Sequence, residues 1–203
     1  MRLRSTAEGR TMVEGEPPSM TSAYRPEFEA ALRLFARASE AMHRRGFQRP
    51  ILVGGAAAEF YTTSALTTGD FDICTLRQAE LEDELQALGF VRPSGPGQML
   101  KGWVHPDLRL GFEVVADVPM DGNVAAARIR LVQPEGEQGR FRIIPVEDLI
   151  ADRMGQYASG SAPDRIDQAR TLLALHPDAD MAYLERRIRE ESMGYYGVED
   201  VRR

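Results

Sequence analysis

Asp70 and Asp72 stand one residue apart in Asp70-Phe71-Asp72-Ile73-Cys74, a segment that alternates polar with apolar residues. A strand carries side chains i and i+2 on the same side, so the two carboxylates project together while Phe71 and Ile73 face the interior. Carboxylates held that close repel. They coexist when solvated, when one is protonated or when a cation neutralises them, and hard oxygen donors at this spacing suit Mg²⁺. An isolated Asp-x-Asp is more often a solvated strand face or a capped turn, so its meaning depends on what surrounds it.

The preceding element supplies that context. Ile51-Leu52-Val53 reads as a short buried strand that runs into Gly54-Gly55 and then a small-residue helix through Ala56, Ala57, Ala58, Phe60 and Tyr61. Glycines there let the backbone approach a ligand, and the unpaired N–H groups at the positive end of a helix attract phosphate. A tight strand-to-helix turn uses the same glycines. An anion site one crossover away from a cation site is more specific than either feature alone. A third acid, Glu113 in Gly111-Phe112-Glu113-Val114-Val115, is flanked by apolar residues and would face the core unless a ligand or neighbour compensates it. Asp117 has the same parity and competes for the role; Pro119 and Gly122 follow it and end a strand, which favours Glu113.

These residues must be positioned by a mixed α/β sheet. The apolar spacing Phe28, Ala31, Leu32, Phe35, Ala38, Met42 predicts a helix from Pro26 to about Arg45, stopped by Gly46. Leu81, Leu85 and Leu88 predict a crossover helix ending at Gly89. After the loop Pro93-Ser94-Gly95-Pro96-Gly97, strands are expected over 99–104, 108–118, 128–132 and 140–144. From Pro145 the period becomes helical: Val146, Leu149, Ile150, Met154 and Tyr157 share one face, Ile166, Ala169, Leu172 and Leu173 another, and Leu184 and Ile188 a third that starts near Asp178 or Asp180. The organisation expected is a flexible tail over 1–25, an α/β core over 26–144 and a C-terminal helical subdomain over 145–203. A chain of 203 residues with 43% hydrophobic content can build one such core.

The sequence from ILVGGAAAEF through TTGDFDIC to the apolar-acid-apolar strand GFEVV resembles the DNA polymerase beta-like nucleotidyltransferase superfamily, particularly its small stand-alone bacterial members. The similarity covers about residues 50 to 118 by motif, and IIPVEDLIADRMGQY followed by DRIDQARTLL resembles the helical tail of those members. The resemblance implies a sheet core flanked by helices, with Gly54 and Gly55 contacting a triphosphate. It implies that Asp70 and Asp72, with Glu113 as third acid, bind two Mg²⁺ ions. The implied reaction is attack by an acceptor hydroxyl on the α-phosphorus of a nucleoside triphosphate, with release of pyrophosphate. Relatives act on RNA ends, proteins and small hydroxylated molecules. Fourteen residues separate Gly55 from Asp70, slightly more than relatives usually have, and no basic residue sits in TTSALTTG, where many place an arginine or lysine. The nucleotide-side candidates are therefore Thr68 in that stretch and Lys101 and Arg153 as sources of charge, unless a protein partner supplies it.

The remaining features narrow the class. A formal charge of −6 argues against nonspecific coating of nucleic acid. No apolar run suits a membrane span, and the N-terminus has no signal-peptide pattern, so a cytoplasmic protein is expected. One cysteine, Cys74, and three histidines give neither a disulfide nor a zinc set, and Cys74 reads as a packing residue. Trp103 and His105 read as core and strand-end residues with base stacking as the alternative; Asp152, Arg153, Asp164 and Asp167 read as helix-surface charges that would line a cleft if the helices turn that way. A second class stays open: a catalytically weak or inactive nucleotide-binding module, the sensing or antitoxin-like half of a two-protein system. A phosphohydrolase with an aspartyl nucleophile fits less well, because its Asp-x-Asp would end the first core strand, and here the Gly-Gly strand comes first.

Overall fold

The computed structural model describes residues 23–93 and 102–203. Lys101 and most of the Pro93–Gly97 loop lie outside the described residues, as does the beginning of the strand expected from 99. The first helix, α1 (Pro26–Arg44), starts on a proline, carries Glu27 and Glu29 in its first turn and His43 and Arg44 in its last, and buries the expected apolar stripe. It stops before Gly46, whose φ of 86° a side chain would resist. Tyr24 and Arg25, at the end of the segment read as a tail, are already docked: the Tyr24 hydroxyl donates to the Phe60 carbonyl at 3.1 Å, and Arg25 pairs with Glu59 at 2.6 Å.

The strands β1 (Ile51–Val53), β2 (Asp70–Cys74), β3 (Trp103–His105), β4 (Leu110–Ala116), β5 (Arg130–Val132) and β6 (Phe141–Ile143) form one six-stranded sheet in the order β3-β4-β2-β1-β6-β5. β2 runs antiparallel to β1 and parallel to β4, while β6 is parallel to β1. Antiparallel pairing of β1 with β2 sets Val53 opposite Asp72, so the chain leaves β1 and enters β2 at the same end of the sheet. That end carries both Gly54-Gly55 and the two acids.

One sheet face is aromatic. Phe71 and Phe112, on neighbouring strands, stack with ring centroids 4.4 Å apart and planes 5° from parallel, and Phe35 of α1 touches Phe71, Phe112 and Phe141. Burial of this cluster fixes which way β2 faces, because a one-residue slip would put Phe71 in the place of the acids. Helix α3 (Gln78–Ala87) lies beside α1 and buries Leu81 and Leu85.

Residues after Pro145 fold as α4 (Val146–Ala158), α5 (Arg165–Leu175), α6 (Met181–Glu191) and α7 (Val198–Arg202). Helix α2 (Gly54–Tyr61) packs against both α4 and α5, and a single apolar cluster runs from Phe28 to Val201. α6 is fastened to α4 by a buried ion pair, Arg187 Nε to Asp148 Oδ1 at 2.7 Å, which Tyr183 completes by donating its hydroxyl to Asp148. The five-residue α7 is too short to leave a helical period in the sequence; its start is closed by the Gly197 N–H donating to Asp200 at 2.9 Å.

Candidate functional site

A cavity of about 640 Å³ opens at the sheet end shared by β1 and β2. Its floor is Gly54, Gly55, Asp70 and Asp72, its rim the 66–69 segment with Thr68, and its far wall Asp152, Arg153 and Gln156 of α4 with Arg165 and Gln168 of α5. A Gly-Gly turn, an Asp-x-Asp strand and the first C-terminal helix thus enclose one space.

Helix α2 begins at Gly54 itself, where φ is +61°. A Cβ at Gly54 would overlap the Asp72 carboxyl, and one at Gly55 would overlap the Thr68 hydroxyl. The glycines are required by these two side chains as well as by the backbone. Asp72 uses the space: the Gly55 N–H donates to its Oδ2 at 3.2 Å. Burial pushes the Asp72 carboxyl above the ordinary carboxylate range, and like charge from Asp70 and Glu113 adds to the rise; the Gly55 N–H and Arg153 oppose it. The Cys74 thiol, beside the same acids, is pushed up to about 12, mainly by burial, and is an inert packing group.

Glu113 pairs in register with Asp72 on the adjacent parallel strand, so the two project on the same side of the sheet. It does not line the Asp70–Asp72 cavity; it borders a neighbouring cleft with Glu82, Arg92 and Trp103. The parity argument for Asp117 fails for a local reason. The pairing shifts between Ile73 and Cys74, setting Cys74 opposite Ala116, so β4 carries one extra residue there and Asp117 leaves the acid face. Asp117 lies past the end of β4 and lines another hollow with Cys74, Thr75 and Arg77. No group of three or more His, Cys, Asp or Glu able to hold a metal ion is assembled among the described residues. Mg²⁺ is commonly held by one or two carboxylates together with water and substrate phosphates, and Asp70 with Asp72 beside a helix N-terminus could serve as such a set.

Arg153 is the buried cation of the cavity. It is 4% exposed, its Nη1 reaches Asp152 and Gln156 at 3.3 Å each, and its Nε has no hydrogen-bond partner among the described residues. Bonds of that length are weak for a charged donor, and burial lowers the pKa of its guanidinium. Gln156 organises the wall, donating to Asp152 at 2.9 Å and accepting from Arg165 Nε at 2.9 Å. Asp152 and Arg153 therefore face the cleft, whereas the Asp167 side chain is 77% exposed on the helix surface. Trp103 and His105 are partly buried in β3, away from this cavity.

The comparisons with known proteins are sparse. No family model matches the chain, and no curated protein does. Among solved structures, the crystal structure of an antigenic nucleotidyltransferase-like protein from Paracoccidioides brasiliensis superposes with a TM-score of 0.55 over 83% of this chain and 88% of that one, at 14% identity. The fold is nucleotidyltransferase-like. At that identity the likeness concerns the backbone, and within a nucleotidyltransferase-like fold the Gly-Gly helix start and the β2 acids of this chain belong to one cavity. No helix among the described residues is long and apolar enough to cross a membrane.

Sequence reading had missed Arg25, Glu59, Gln156, Arg165 and Gln168. Three of them left a signal: Glu59 is the one charged residue in the helix GGAAAEFY, and Arg165 and Gln168, three apart, share a helix face.

Proposed function

We propose that this chain is a nucleotidyltransferase that takes a nucleoside triphosphate as donor and moves its nucleoside monophosphate to a hydroxyl acceptor. The observation that carries the reading is the shared cavity: two carboxylates on one strand face, a helix N-terminus with glycines at its first two positions, and a buried, under-bonded arginine opposite them. The backbone N–H groups of Gly54 and Gly55, with Thr68 at the rim, would receive the phosphates, and Arg153 would offset their charge. Asp70 and Asp72 would hold Mg²⁺; Glu113, in register with Asp72 but lining the neighbouring cleft, would have to turn toward them to serve as a third acid. Bound there, Mg²⁺ supplies charge neutralisation of the triphosphate and activation of the attacking hydroxyl. The protein's own part is to fix the triphosphate between the glycine turn and Arg153 and to exclude water behind Phe71 and Ile73, which are fully buried. RNA ends, proteins and small hydroxylated molecules all remain chemically eligible acceptors.

A second reading, a nucleotide-binding module without transfer activity within a two-protein system, is favoured by two specific features. Asp72 already caps α2, and Glu113 stands outside the cavity. The two readings separate in one experiment. Thermal unfolding with millimolar ATP, GTP, CTP or UTP, with and without Mg²⁺, is expected to show Mg²⁺-dependent stabilisation under either. Pyrophosphate release with candidate RNA, protein and aminoglycoside-type acceptors is expected only for the transferase. Absence of stabilisation with all four nucleotides would remove both.

A further inference from the structure

Glu59 is a fully buried carboxylate inside α2, a position that costs stability unless the charge is paired and hydrogen-bonded. Its partners come from the far ends of one excursion of the chain. Arg25 grips it with two bonds, Nε to Oε1 at 2.6 Å and Nη2 to Oε2 at 3.0 Å. The Ser64 hydroxyl donates to Oε1 at 2.9 Å and the Thr68 N–H to Oε2 at 2.7 Å. The second hydrogen bond of Arg25 Nη2 goes to the Thr68 carbonyl at 2.5 Å. Both backbone groups of Thr68 are thereby held by opposite members of one ion pair, and both bonds are charge-assisted.

Thr68 stands between the two halves of the cavity. Its hydroxyl accepts from the Asp70 N–H at 3.3 Å and fills the space over Gly55 where a side chain would otherwise sit. The segment that leads to it starts from Thr63 and Ser64, both with positive φ, at 52° and 61°, a conformation that residues other than glycine hold only when their surroundings impose it. Glu59 imposes it through Ser64, and the Arg25 N–H adds a bond to the Ser64 hydroxyl at 3.2 Å.

From these contacts we infer that Arg25 and Glu59 are positioning residues for the cavity: they clamp Thr68 and so set the separation of the Gly55 phosphate cradle from Asp70. The inference rests on the nucleotide reading for its consequence, though not for the clamp itself. Arg25 touches none of the reacting groups; it acts through the Thr68 backbone. Loss of the clamp leaves the apolar core intact and loosens the rim.

The test uses the full chain as wild type, Arg25→Ala, Arg25→Lys and Glu59→Gln, with two measurements. Hydrogen exchange of the ligand-free protein is expected to quicken at least tenfold at the Thr68 and Asp70 amides in Arg25→Ala, with the β4 and β6 amides unchanged. Titration with Mg–ATP is expected to give at least tenfold weaker binding in Arg25→Ala, with part of the loss recovered in Arg25→Lys, which keeps a charged donor. Arg25→Ala leaves the buried Glu59 carboxylate without its cation, whereas Arg25→Lys and Glu59→Gln do not, so unchanged β4 and β6 amides are the check that each variant folds. Unchanged exchange at Thr68 and Asp70 overturns the clamp, and loosened exchange with wild-type Mg–ATP affinity overturns the positioning role. If wild type itself binds no nucleotide with Mg²⁺, the nucleotide reading falls, and the exchange measurement alone decides whether the clamp exists.

Discussion

The carboxylate of Asp72 accepts a hydrogen bond from the Gly55 N–H at 3.2 Å. An acid on β2 thus caps the helix whose N-terminus would receive the phosphates in the proposed site, so one side chain links the two halves of the cavity. The contact explains why Gly54 must be glycine, since a side chain there would run into Asp72. It also means that a phosphate arriving at Gly55 would compete with a carboxylate of the protein. Withdrawal of Asp72 toward a cation would free that donor.

The Asp72 contact separates two substitutions that are often treated as equivalent. Asp72→Asn keeps an acceptor for the Gly55 N–H and removes a charge that burial and Asp70 disfavour, so the ligand-free protein should be as stable as wild type or slightly more so at neutral pH. Asp72→Ala removes the cap as well and should cost about 1 kcal/mol. Because the Asp72 pKa is raised on folding, its proton binds the native state more tightly. The stability this provides is complete below the ordinary carboxylate range and fades as pH rises through the elevated value. Urea unfolding between about pH 3.5 and 7 should therefore show wild type losing ground to Asp72→Asn as pH increases. Wild type gaining ground over that interval would mean that a cationic partner, rather than burial, governs the acid.

The two glycines should respond differently to alanine. At Gly54 both the φ of +61° and the position of the Asp72 side chain oppose a Cβ, while at Gly55 the obstacle is the Thr68 side chain, its hydroxyl above all. Gly54→Ala should lower stability by about 2 kcal/mol or more and Gly55→Ala by about 1. Thr68→Ala should rescue Gly55→Ala and not Gly54→Ala, giving a coupling of at least about 0.5 kcal/mol in a double-mutant cycle. Equal rescue of both would place the Thr68 side chain over the wrong glycine.

Much of this site is written locally, in patterns of period two. The alternation through Asp70-Phe71-Asp72-Ile73 fixes the face of the acids, and the run Ile51-Leu52-Val53-Gly54-Gly55 marks the strand-to-helix turn beside them. Parity worked for Glu113, which pairs with Asp72, and failed for Asp117, because one extra residue in β4 reverses every later side chain and nothing in the local sequence announces a bulge. The far wall was harder to read. Arg153 and Arg165 lie on helices whose charged residues range from the fully buried Asp148 to the exposed Asp167, and which of them turn inward is decided by how α4 and α5 dock on α2. That docking is a tertiary property. Arg25 was hidden for the same reason: its partners, Glu59 and Thr68, are 34 and 43 residues away.

Arg153 offers the sharpest separation of a ligand-binding role from a structural one. Its guanidinium is buried, makes only long bonds to Asp152 and Gln156, and leaves Nε without a partner among the described residues. A cation in that state costs the ligand-free fold more than it returns, and replacing poorly compensated buried charges by apolar side chains of similar size is often neutral or stabilising. Arg153→Met should therefore leave the melting temperature of the ligand-free protein unchanged or raise it. Its one acidic hydrogen-bond partner, Asp152, is 28% exposed and can turn to water. The same variant should lose most of the stabilisation by Mg²⁺ and nucleoside triphosphate, because the phosphates would face the cavity without its buried positive charge, and Arg153→Lys should keep a fraction of it. A structural arginine behaves in the opposite way: removing it leaves buried polar partners stranded, costs about 3 to 5 kcal/mol and spares the ligand response. Calorimetry of the three proteins with and without Mg–ATP distinguishes the cases. A strongly destabilised Arg153→Met that still gains wild-type stability from Mg–ATP would remove Arg153 from the nucleotide site and leave Arg165 as the cation of the far wall.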